Sequence, residues 1–228
     1  MAERRRPTLT AFTETDRRAL ASVAVQFFVN GALFASFLPR LPEIRDRVDI
    51  SVDRVGLLLS LAGLAGLAGS AMVGPAVARL GTRRVIIGAG TLMALSLPVV
   101  GLATTPSVLL FGLIGLQTFD VLVDVSMNLQ GSWLSGRRHT PVMSRLHGLW
   151  SLGTVIGGLS SSRLAAVGVS LPAHLAGAAA ILLATMVFVG PGLLPADEHQ
   201  HTRPDSGPDP DPDPHPHPPD AVTGPGRA

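Results

Sequence analysis

The chain has 228 residues, 46% of them hydrophobic and only 15% charged, with a mean hydropathy of +0.39; this balance departs from soluble-domain statistics toward a membrane protein. It has no cysteine, which excludes thiol catalysis, disulfides and cysteine-held metals. All eighteen basic residues are arginine, a usage read as a coding bias, so the pI near 10.8 is not taken as a sign of nucleic-acid binding.

Charge-poor stretches run from Arg18 to Arg40, Arg54 to Arg79, Arg84 to Arg137 and Arg163 to Asp197, and each encloses at least one apolar segment of the roughly 20 residues a helix needs to cross a bilayer. The third is long enough for two crossings, and a shorter, more polar segment lies at Leu146 to Ser162. The expectation is an all-α polytopic membrane protein with six helices, near 20 to 39, 55 to 78, 85 to 104, 108 to 134, 143 to 166 and 172 to 194. Lipid cannot satisfy open backbone groups, and the spans lack the period-2 alternation of a membrane barrel. The first span is too long for a cleaved signal and lacks a small-residue cleavage site.

Residues 1–19 read as a cytoplasmic N-terminal segment and residues 20–194 as the transmembrane domain. Span 1 carries Gln26 and Asn30, four apart. The loop after it, PRLPEIRDRVDISVDR, has the pattern of a small amphipathic element. Span 2 contains GLAGLAG, with Gly63, Gly66 and Gly69 forming a small-residue stripe that lets a neighbouring backbone approach. Spans 3 and 6 show only scattered Thr and Ser, apart from His174 at the outer end of span 6.

Span 4 is different. Gln117, Asp120, Asp124 and Asn128 are spaced three, four and four, so they share one helical face. That face cannot point at lipid, because an ionised Asp at mid-bilayer costs about 2.5 to 3.5 kcal/mol on insertion scales. Span 5 places Ser144, His147, Ser151 and Thr154 on one face; here back-bonding of Ser and Thr to their own helix is an equal alternative to function. If spans 1 and 5 run outward and span 4 inward, Asn30, Asp120 and Thr154 share a depth near the midplane. The helices thus sort into a polar-lined set and an apolar set, as in a bundle around an aqueous cavity.

After Leu194 the sequence becomes PADEHQHTRPDSGPDPDPDPHPHPPDAVTGPGRA, which cannot bury a core and is read as a disordered cytoplasmic tail over 195–228. His199, His201, His215 and His217 are read as solvated rather than metal-binding, since alternating His-Pro gives no preorganised ligand set. No metal and no cofactor is expected. Eleven arginines lie in the N-terminal segment, the 2–3 loop and the 4–5 loop, which by the positive-inside rule places both termini in the cytoplasm of a cell (inner or plasma) membrane.

Four pieces carry a family resemblance: FFVNGALFASFLPRLPEIRD (27 to 46), GPAVARLGTRRV (74 to 85), DVSMNLQG (124 to 131) and PVMSRLHGLWSLGTVIGG (141 to 158). In this order they resemble the first half of the major facilitator superfamily of secondary transporters, and are most similar to its bacterial fucose- and sugar-permease-like branch. The resemblance implies twelve helices in two halves, with solute bound at the midplane between them, and this chain corresponds to one half. It implies a cytoplasmic gating loop of Gly74, Arg79, Gly81, Arg83 and Arg84, with Ala78 standing where that loop usually has Asp. Asp120 is a second departure, at a place where a small residue is usual.

The expected function is therefore transport of a small polar solute by alternating access, without enzymatic chemistry. Asp124 and Asp120 are the candidates for proton coupling, since two carboxylates one turn apart share one proton more readily than they carry two charges. Asn30, Asn128, His147 and Ser151 are candidates for hydrogen-bonding the solute, with a helix-to-helix hydrogen bond an equal reading for Asn30 and an interfacial place an equal reading for His147. Partners expected besides the bilayer and the solute are a separately encoded second half or a second copy; a truncated product of a longer gene is the other reading of the half-length match. The alternative function is a non-transporting scaffold or regulator. A hydrolase lacks its Gly-x-Ser-x-Gly elbow, and HExxH is absent.

Overall fold

Thr13 opens the first helix. Its hydroxyl accepts from the Asp16 backbone N–H at 3.1 Å while the Asp16 carboxylate accepts from the Thr13 N–H at 2.9 Å, a reciprocal capping box that satisfies two otherwise orphaned donors. The structure, a computed structural model, describes residues 12–138 and 141–195. The expectations for residues 1–11 and for the tail, its four histidines included, lie outside the described residues.

The elements in chain order are α1 (Glu14–Ser36), α2 (Leu41–Val48), α3 (Val52–Leu102), α4 (Pro106–Arg138), α5 (Met143–Ala166) and α6 (Leu171–Phe188), with single 3-10 turns at Leu38–Arg40 and Gly190–Gly192. Every regular element among the described residues is helical. The apolar stretch expected at 20 to 39 sits inside a helix that begins at Glu14, because the cap lies upstream of the apolar run. The amphipathic element in the first loop is α2, ended by Asp49 in the left-handed conformation (φ 53).

Among the described residues, four stretches are long and apolar enough to cross a membrane: Glu14–Val48, Val52–Leu102, Pro106–Arg138 and Leu171–Gly192. Two of the six expected spans fall inside α3, and α5, with its Ser-rich polar face, is not among the four. The count of six is therefore not met stretch for stretch.

The expected 2–3 connection falls within α3, which is interrupted there at one residue. At Gly81 φ is 76° and ψ is 154°, a region in which an L side chain is strained and glycine is not. Gly66 and Gly69 lie against Gln117 and Thr118 of α4, Thr82 reaches Gln130, and Ser96 and Val100 lie against Gly115 and Gly112. The chain thus travels along α4 in one direction before Gly81 and in the other after it. One residue makes the reversal.

Packing divides the bundle. α3 packs chiefly on α4 and also on α6, while α1 packs chiefly on α5; α1 and α4 touch far less. The α1–α5 contact is backbone to backbone. A Cβ on Gly153 or Gly157 would run into the carbonyls of Phe28 or Ala32, and one on Gly31 into that of Trp150. Gly153 and Gly157 form a GxxxG pair, the spacing that lets membrane helices approach closely when lipid gives no hydrophobic drive for association. In the GLAGLAG stripe, Gly66 and Gly69 do meet α4, whereas Gly63 faces open space.

Candidate functional site

The sparse α1–α4 seam is joined by polar groups. Asn30 is buried at 4% exposure. Its amide Nδ2 donates to Asp120 Oδ1 at 2.7 Å, and its Oδ1 accepts from the Trp150 indole Nε1 at 2.9 Å. An indole can only donate, so the two bonds together fix which way the amide points. One side chain of α1 therefore ties α4 to α5. The neighbouring Gly31 makes this reachable, because its missing Cβ lets the Trp150 backbone close on α1. Thr154 donates to the Trp150 carbonyl at 3.0 Å, the back-bonding arrangement open for it from sequence.

One turn further along α4, the Asn128 amide donates to the Asp124 backbone carbonyl at 2.9 Å and to its Oδ1 at 3.2 Å. His147 of α5 lies within electrostatic reach of Asp124 and meets the Phe27 ring edge to face, centroids 5.4 Å apart. His147 and Ser151 are exposed, and Asp120, Asp124 and Asn128 are half-buried. Gln117 and Asp120 border a cavity of about 20 Å³, room for about one water.

The six sequence-expected site residues thus fall into three groups. Asn30 and Asp120 join in a closed bridge, Asp124 and Asn128 pair half-buried on α4, and His147 and Ser151 lie exposed on α5. The expected gating residues lie along and beside the break in α3. Gly74, Arg79 and Arg84 are exposed, Arg83 is half-buried, and Gly81 is the helix break itself.

Three polar contacts were missed by sequence reasoning. Trp150 was the first, although it sits inside PVMSRLHGLWSLGTVIGG four residues before Thr154. Gln130 was the second: fully buried, it accepts from the Leu194 N–H at 3.0 Å and donates to Thr82 Oγ1 at 3.0 Å and to the Leu194 carbonyl at 3.2 Å, pinning the chain after α6 to the turn after Gly81. The third is Asp16, whose Oδ1 accepts from Arg137 at 2.8 Å. No cluster of acids and histidines suited to a metal is present among the described residues.

The family model described as Major Facilitator Superfamily matches residues 23–223. The chain belongs to that superfamily. It is 26% identical over 183 residues to an uncharacterised MFS-type transporter of Yersinia pestis, covering 80% of this chain and 48% of that protein. It is 30% identical over 135 residues to an uncharacterised transporter of Sinorhizobium fredii, covering 59% and 36%, and 25% identical over 138 residues to the membrane protein MosC of Rhizobium meliloti, covering 60% and 34%. The crystal structure of the nucleoside transporter NupG superposes with a TM-score of 0.66 at 17% identity, over 82% of this chain and 47% of that one. At that identity the likeness is one of fold. The chain spans about half or less of the length of each of these four proteins. Family and helices together make this a multi-pass membrane protein of the MFS type.

Proposed function

We propose that the chain contributes one wall of a secondary active transporter that moves a small polar solute, of sugar or nucleoside size, across the cell membrane by alternating access. The observation that supports this is the polar bridge of Asn30, Asp120 and Trp150 between α1, α4 and α5, with Asp124 and Asn128 half-buried one turn along α4 and His147 and Ser151 exposed on α5. In this reading the two arms of α3 are separate crossings and α5 is the polar crossing, giving six with both termini cytoplasmic; residues 20–194 form this half and a second six-helix half or a second copy supplies the facing wall. Asp120 holds the bundle through Asn30. Asp124, with its carboxylate held only by Asn128 and facing His147, carries the coupled proton.

The test is uptake into proteoliposomes of the chain, with its second half where one is encoded, across a panel of sugars and nucleosides. Wild type is expected to accumulate one class under an imposed pH gradient, and Asp124→Asn to retain only gradient-independent exchange. Full pH-driven accumulation by Asp124→Asn contradicts the coupling role.

A second reading rests on the Asn30 bridge, in which an acid within the membrane serves packing. A scaffold or regulator of this fold keeps its function when Asp120 and Asp124 are replaced together by Leu, and a transporter does not.

A further inference from the structure

A second cavity lies away from these polar residues. About 400 Å³ in volume and almost wholly apolar, it opens between α1, α5 and α6, on the α2 side of the bundle. It runs along α1 from Phe28 to Ser36 and along α5 from Ile156 to Leu164, about 12 Å at 1.5 Å per residue. That is close to the depth of one leaflet of a hydrocarbon core about 30 Å thick.

Three features distinguish it from a packing defect. His174 lines its far end at 8% exposure, and the imidazole Nδ1 has no partner, a costly state for a buried polar atom. Val169 lines the same end, and its carbonyl accepts from Arg40 at 2.7 Å; the buried Arg40 Nε also has no partner. Finally, Gly177 lines the wall within α6. Gly157 is accounted for by its contact with Ala32, but a Cβ on Gly177 would meet nothing within 4 Å. A glycine in a helix interior costs about 1 kcal/mol relative to alanine, and here what it preserves is volume.

We propose that this cavity is a lipid site, which takes one acyl chain of a phospholipid from the adjacent leaflet and places a lipid ester or phosphate oxygen as hydrogen-bond acceptor at His174 Nδ1. The apolar walls match the chain, the depth matches one leaflet, and the unpartnered His174 Nδ1 lies at the cavity's Val169 end, which in this proposal meets the headgroups. The site is independent of the polar residues of α4 and of any transport activity.

The experiment uses the full chain in nanodiscs doped with a phospholipid that carries a diazirine in one acyl chain, followed by irradiation and peptide mapping. Adducts are expected to concentrate on the peptides holding Ile156, Leu164 and Ile181. Gly177→Leu and Ala173→Leu, which fill the cavity, should each lower them about tenfold, a loss of one decade in affinity, with elution and helix content unchanged. His174→Phe, which keeps the ring and removes the nitrogen, should lower them as well. Adducts at the exposed Leu95 and Phe188 serve as the bulk-lipid reference and should not change. Labelling no higher than at Leu95 and Phe188, labelling that survives Gly177→Leu in folded protein, or labelling by a diazirine fatty acid but not by the phospholipid overturns the proposal.

Discussion

Asn30 shows what a single polar residue does where helices have little apolar reason to associate. Its amide spends both ends, one on Asp120 and one on Trp150. Replacement by Ala leaves a carboxylate and an indole N–H unpaired, at about 1 to 3 kcal/mol for each buried group. We predict that Asn30→Ala lowers the thermal unfolding midpoint in detergent, and that Asn30→Ala with Asp120→Leu recovers about half of the loss, because the unpaired carboxylate is gone while the Trp150 N–H stays unpaired. A double variant no more stable than the single one would contradict the bridge. The spacing of Gln117, Asp120, Asp124 and Asn128 made their common face legible in the sequence, since a helix has one period. Which acid is bridged and which is open was not legible, because that depends on the rotation of α1 and α5 about their own axes. Trp150 was overlooked for the same reason: an indole in an apolar span reads as bulk until a partner is placed beside its nitrogen.

At the scale of elements, glycine decides the architecture in two ways. Gly81 turns α3 back on itself, so an arginine-flanked segment that reads as a loop is a one-residue break between two helical arms. Charge located the reversal; only the backbone torsion revealed how abrupt it is. Gly153 and Gly157 bring α5 onto the α1 backbone, and the same packing holds Trp150 within reach of Asn30. Gly157→Leu is therefore expected to separate α1 from α5 and to lower folded yield and midpoint together, whereas Gly63→Leu, facing open space, should leave both near wild type. Equal effects of the two substitutions would show that the α1–α5 contact is not what the glycine pair serves. The sequence singled out GLAGLAG and passed over Gly153 and Gly157, because a small-residue stripe announces a close approach without naming the helix that makes it.

For the molecule as a whole, the bundle is two packed groups, α1 with α5 and α3 with α4 and α6, joined by polar links: Asn30 to Asp120 at mid-depth and Asp16 to Arg137 where α1 begins and α4 ends. Partition into polar and apolar helices followed from where the polar residues fall along each span, and the superfamily's helical order from the resemblance of four motifs. The links between the groups are long-range pairs, 90 and 121 residues apart, which no local pattern encodes. On the proposed function, Asp124, Asn128, His147 and Ser151 face water. The chain has no cysteine, so each introduced cysteine is a unique probe. Asp124→Cys, Asn128→Cys, His147→Cys and Ser151→Cys are predicted to react with a water-soluble maleimide in membranes, while Leu95→Cys and Val187→Cys stay unlabelled. Reaction of the four polar positions no faster than that of Leu95→Cys and Val187→Cys would contradict the account.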